Sequence, residues 1–114
     1  MLTLMADSEC MIAMTATVRP VESLNAFPAL GQNLRRHYEH TLLFTDQMFV
    51  IFPAVRVVLV TERQRKYRFD IVGTDSASMA QRVVRLEAEV RKECGGQQVG
   101  FEWARAASIP VPFR

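Results

Sequence analysis

The feature that most constrains the fold is a run of β-branched and aromatic residues between positions 47 and 61, interrupted by Pro53. Such residues are enriched in strands because they fit the pleated, half-buried surface of a sheet. Proline has no backbone N–H, so within sheets it is tolerated chiefly on edge strands and at bulges. We therefore predict an edge strand over residues 47–61, split or bulged at Pro53.

Three further segments alternate between apolar and polar side chains, namely residues 10–18, 66–72 and 97–104. A period of two residues indicates strands that bury one face. Apolar residues recur instead at helical spacing over residues 21–40, where Pro28 interrupts the pattern, and over residues 76–94. The sequence thus predicts four strands and two helices.

These elements follow one another as β-α-β-β-α-β, which is the split βαβ or ferredoxin-like arrangement. It predicts an α+β sandwich in which two helices cover one face of an antiparallel sheet. Right-handed crossovers would place the first and third strands in the middle and the Pro53 strand at an edge. We expect one domain over residues 10–105, a flexible segment over residues 1–9 and an extended tail over residues 106–114.

The face of the sheet away from the helices is the first candidate for function. The alternation places Tyr67 and Phe69 under the helices, and assigns Val58 and Val60 to the open face, together with the charged side chain of Arg56. An apolar patch rimmed by charge is typical of a protein–protein contact. We therefore expect a homodimer packed through this face or along the Pro53 edge.

A basic segment is the second candidate, because Arg63, Arg65, Lys66 and Arg68 follow one another closely around the polar turn at 62–65. Arginine forks bind phosphate groups, so this hairpin could make weak contacts to a nucleic-acid backbone without reading its sequence. A solvated charged turn explains the same residues. The net charge of the chain is only +2, which does not by itself imply a nucleic-acid partner.

The third hypothesis is that the protein is an enzyme. The sequence contains no GxSxG, HExxH or phosphate-loop motif. Trp103 could line a pocket with Tyr38 and His37, as in small cofactor-free enzymes that form dimeric α/β barrels. His37 and His40 could share one face of a helix, but two histidines are too few for a typical metal site. We expect neither a metal nor a cofactor.

Two cysteines, Cys10 and Cys94, are too few for a disulfide scaffold, so we expect a cytoplasmic protein. The predicted topology places them at opposite ends of the domain, so no Cys10–Cys94 disulfide is expected. The longest apolar run, 48–55, is far shorter than the roughly 20 residues that cross a membrane, so no membrane partner is expected. The leading hypothesis is a small non-catalytic module, a regulator, adaptor or inhibitor, that binds another protein and itself. Its predicted contact residues are Arg56, Val58, Val60, Arg63, Arg65, Lys66 and Arg68.

Overall fold

The alternating segments pair into one antiparallel sheet in a computed structural model of the chain, which describes residues 12–20, 27–63, 66–94, 98–106 and 113. The helices are α1 (Phe27–His37) and α2 (Ser76–Glu93). The strands are β1 (Ile12–Pro20), β2 (Glu39–Phe44), β3 (Gln47–Phe52), β4 (Arg56–Arg63), β5 (Lys66–Gly73) and β6 (Val99–Arg105). Their order in the sheet is β2-β3-β4-β5-β1-β6. The α+β class and the antiparallel sheet are therefore as predicted.

The described sheet has six strands where the sequence predicted four. Pro53 lies in a turn between β3 and β4, and both of these strands are interior. The prediction of an edge strand at Pro53 is therefore wrong. The edge is formed instead by β2, whose first two residues had been assigned to the end of the helix over 21–40. That helix ends at His37, and the chain reverses into the added strand.

Both helices cover the same face of the sheet. Leu30 and Leu34 of α1 join Leu86 of α2 in one buried cluster that includes Tyr67 and Phe69 of β5. Each of these side chains is almost fully buried, so the two helices and the sheet share one core. Helix α2 begins after Asp75, whose carboxylate accepts a hydrogen bond from the backbone N–H of Ser78 at 2.7 Å and caps the helix.

The strand register corrects the predicted open-face patch. Val60 lies directly opposite Phe69 and Val58 directly opposite Val50. Opposed residues of an antiparallel pair point to the same face, so both valines lie under the helices, where they are 0–1% exposed. The assignment of Val58 and Val60 to the open face was wrong because four consecutive apolar residues, 57–60, carry no alternation that could fix the direction of each side chain.

Several expectations lie wholly or partly outside the described residues. The segment 1–9 and Cys10 are among them, as is the tail apart from Ala106 and Phe113. Among the helices that the structure describes, neither is long and apolar enough to span a membrane.

Candidate interaction surface

The predicted basic residues are only partly brought together. Arg63 and Lys66 pair across the hairpin that joins β4 to β5. Arg68 follows on β5, and Arg65 lies outside the described residues. Arg56 stands at the other end of the eight-residue strand β4, about 23 Å from Arg63 at the usual rise per residue. Arg56 therefore does not belong to the same cluster.

Two guanidinium groups of this hairpin already have carboxylate partners. Arg63 contacts the Oδ2 atom of Asp46 through both Nε and Nη2, each at 3.0 Å. Arg68 Nε donates to Asp70 at 3.0 Å, and the Asp70 carboxylate is buried and also accepts from Thr15 Oγ1 at 2.5 Å. An incoming phosphate would compete with these partners, which lowers the attraction that the hairpin offers to a nucleic acid.

Arg56 has a positive φ of 77°, in the left-handed region that favours glycine. It begins β4 directly after the turn at residues 53–55, and its side chain is exposed. A side chain in this conformation has a steric cost, so the turn stores a small amount of backbone strain at this position.

The largest exposed apolar side chains of the described residues lie on the edge strand β2. Leu42 is 66% exposed and Phe44 is 68% exposed. Together with Arg35 of α1 and with Met48 and Val60 of the sheet they line a small solvent-open hollow of about 30 Å³. We call Leu42, Phe44 and this hollow the edge surface. The outer edge of β2 has no neighbouring strand in the described sheet, so backbone groups and apolar side chains are accessible side by side.

The floor of the edge surface is a polar contact between helix and sheet. The hydroxyl of Tyr67 donates to the carboxylate of Glu62 and accepts from the backbone N–H of Gly31 at 3.0 Å. Burial, followed by the hydrogen bond to Glu62, raises the pKa of Tyr67 above its ordinary value. The phenol therefore stays protonated, and it fixes α1 against β5 beside the hollow.

A second apolar region lies on the face away from the helices. Ile51 and Val57 oppose each other and are 42% and 43% exposed. The ring of Phe113 meets that of Phe49 edge to face, with centroids 5.4 Å apart. Phe113 therefore covers part of the face that the sequence pattern predicts to be open.

A cluster of ionisable side chains joins the carboxyl-terminal ends of the two helices. His37 Nδ1 lies 2.7 Å from Glu93 Oε1, and Glu93 is buried. The hydroxyl of Tyr38 donates to Glu93 Oε2 at 3.1 Å and to Glu89. Burial and then Glu89 raise the pKa of Tyr38, while the hydrogen bond from Tyr38 lowers the pKa of Glu89. Asn33 completes the cluster by donating to the backbone carbonyl of Glu93 at 2.9 Å.

Trp103 is not part of this cluster. Its indole Nε1–H donates to Glu87 at 2.7 Å. Residues two apart on a helix do not share a face, so Glu87 and Glu89 point in different directions from α2. The structure thus brings Tyr38 and His37 together and places Trp103 on another side of the same helix, rather than in one pocket with them.

Neither thiol nor metal chemistry is indicated within the described part of the chain. No group of three metal-binding side chains occurs there, and His40 lies on β2 rather than on a helix face with His37. Cys94 is buried as a thiol, and burial raises its pKa, which lowers its reactivity at neutral pH.

Comparison of the sequence with models of known protein families and with curated proteins finds no match.

Proposed function

We propose that the chain is a small non-catalytic module that acts by binding another protein, as a regulator, adaptor or inhibitor of a larger complex. The observation that supports this is the edge surface, where Leu42 and Phe44 are each about two-thirds exposed beside an edge that no described strand pairs with. Leu42 and Phe44 replace the predicted contact residues Val58 and Val60 in this role, because both valines are almost fully buried under the helices.

The edge surface suits a known mode of recognition. An extended segment of a partner can add to a sheet edge, where main-chain hydrogen bonds give affinity and pockets beside the edge give specificity. Strand β2 offers the backbone groups, and the hollow lined by Arg35 and Met48 lies next to it. The Arg35 guanidinium at its rim adds a polar contact to an apolar centre, a composition common in protein interfaces.

Two other functions receive less support. The basic hairpin could contact phosphate groups through Lys66, but Arg63 and Arg68 are engaged with aspartates. Of the residues named for the enzyme hypothesis, His37 and Tyr38 lie close together. Their hydrogen bonds to Glu93 join the two helices, which gives these two side chains a structural role. We also propose that the protein is cytoplasmic and that its core is a split βαβ unit, to which β2 and β3 are added as a hairpin. This unit consists of β1, α1, β4, β5, α2 and β6.

A photo-crosslinking comparison in cells tests the proposed function. A benzophenone side chain replaces Phe44 in one variant and Val84 of α2 in the other; the two positions are equally exposed, at 68% each. We expect crosslinked protein adducts from position 44 and far fewer from position 84. Equal yields at the two positions, or none at position 44, would contradict a role for the edge surface in binding.

A further inference from the structure

We propose that the partner of the edge surface is a second copy of the same chain, with β2 of each copy pairing antiparallel across a two-fold axis to join the two sheets into one. This inference rests on the proposed function, because it assigns the occupant of the same surface. It is carried by two independent observations, namely the difference between the two edges of the sheet and the register in which β2 can pair with itself.

The two edges of the sheet differ in how they are protected. Natural sheets block unwanted pairing with charged side chains, prolines or short strands at their edges. On β6, Glu102 forms an ion pair with Arg19 at 3.6 Å, and the large side chains Phe101 and Trp103 are engaged by residues of α2. That edge is therefore poorly suited to accept another strand.

Strand β2, Glu39–Phe44, is protected less. It contains no proline, lysine or arginine and one charged residue, Glu39, against Glu102 and Arg105 on β6, and no described element covers its two largest exposed side chains. A bulge between Leu42 and Phe44 is its remaining protection. An edge with these properties is a template for pairing with another chain.

The sequence of β2 is compatible with itself in antiparallel register. A two-fold axis at Leu42 sets Leu42 against Leu42 of the second copy, and sets His40 and Thr41 against Phe44 and Leu43 of that copy. The carboxylates of Glu39 then lie at opposite ends of the paired strands, so no charge faces a like charge. Aromatic and aliphatic pairs of this kind stabilise neighbouring strands.

This arrangement closes on itself. Pairing about a two-fold axis uses the same edge of both copies, so the joined sheet ends in a β6 strand on either side. Since β6 is the better protected edge, we expect a dimer and not a fibre. The apolar side chains of the edge surface would be covered in the dimer by their counterparts.

The test is the mass of the purified full chain in sedimentation equilibrium over a series of concentrations. We expect a monomer–dimer equilibrium. In Leu42→Lys the two introduced ammonium groups meet at the axis, and such a juxtaposition raises the dissociation constant by about a hundredfold or more. Val84→Lys is the matched control, because Val84 is exposed to nearly the same degree as Leu42, 68% against 66%, but lies on α2. This variant keeps the dissociation constant of the parent chain.

A cysteine variant tests the register directly. Directly opposed residues of paired strands have Cβ atoms about 4.5–5.5 Å apart, close to disulfide geometry. We expect Leu42→Cys to give a covalent dimer on mild oxidation, and Val84→Cys to give none. A parent chain that is monomeric at every concentration overturns the inference, and so does a dimer that Leu42→Lys leaves intact. If a monomeric chain nevertheless crosslinks another protein from position 44, the proposed function stands and only the second copy is refuted.

Discussion

Gly31 offers a sharp test of how α1 is held on the sheet. Within a helix, Gly→Ala normally increases the free energy of unfolding by about 1 kcal/mol, because alanine has the higher helix propensity. At position 31 an added Cβ would lie 2.6 Å from the hydroxyl oxygen of Tyr67, closer than side-chain carbons approach other atoms. Tyr67 is 1% exposed and its hydroxyl is fixed by Glu62, so the ring has little room to move.

We therefore expect Gly31→Ala to destabilise the protein. Overpacking a buried contact costs about 1–3 kcal/mol, and the gain in helix propensity offsets about 1 kcal/mol of it. The net loss is then up to about 2 kcal/mol, opposite in sign to the ordinary effect of this substitution. Urea denaturation followed by circular dichroism measures it as a lower midpoint at unchanged slope.

The cause is isolated by repeating the substitution in Tyr67→Phe. Without the hydroxyl, the nearest atom to the added Cβ is Glu62 Oε2 at 3.2 Å, which belongs to an exposed and flexible side chain. In that background Gly31→Ala is expected to be neutral or to stabilise by up to about 1 kcal/mol.

Gly100→Ala is the matched control, because an added Cβ there meets no atom within 4 Å. We expect it not to lower stability. The reasoning is refuted if Gly31→Ala stabilises the parent chain, or if its cost is the same with and without the Tyr67 hydroxyl.

Three further outcomes are expected from the same structure. Arg56→Gly relieves the positive φ and raises the free energy of unfolding by up to about 1 kcal/mol, whereas Arg56→Lys does not. The chain's two tyrosines, Tyr38 and Tyr67, both have raised pKa values, so absorbance at 295 nm shows no phenolate at about pH 10, where an unfolded tyrosine is half ionised. Because the pKa values of both tyrosines are higher in the folded than in the unfolded state, protonation of the two phenols stabilises the fold fully below about pH 10, and this stabilisation is lost as the pH rises further. Phenolate that forms at about pH 10 while the fold is intact would contradict the raised pKa values. In Cys10→Ser, the buried thiol of Cys94 reacts with an aromatic disulfide reagent only after denaturation, and fast reaction of the native protein would show that it is accessible.

Strict alternation and helical spacing predicted most elements of the fold closely. The segments 10–18, 66–72 and 97–104 became β1, β5 and β6 with shifts of at most two residues at their ends. The helix predicted over 76–94 ends at Glu93. In α2, β6 and the first half of β5, buried or half-buried residues recur among exposed ones at the period of the element. Strand β1 and the middle of β5 depart from this, because Ala13 and Asp70 are buried on the face away from the helices. Where it occurs, the contrast between buried and exposed residues is what a sequence pattern can detect.

The candidate site was missed where that contrast is lacking. Strand β4 is buried on both faces around Leu59, so its apolar residues gave no sign of which face each one joins. Strand β2 is exposed on both faces, and its first residues continued a helical pattern. The signal that was available is the pair Thr45-Asp46 between two apolar runs, a turn composition that favours a hairpin over residues 39–52.

The exposure of Leu42 and Phe44 follows from the dimensions of the two layers. Six strands spaced about 4.8 Å apart span about 24 Å, whereas two helices of about 10 Å diameter cover about 20 Å. Helix α1 packs on β5 through Gly31 and Tyr67, so the uncovered strip falls at the β2 edge. Adding β2 and β3 therefore widens the sheet beyond what its own helices can cover. No described element covers the apolar side chains on that strip, and a partner that buried them would be stabilised by the hydrophobic effect. This is the physical reason to seek the function of the chain there.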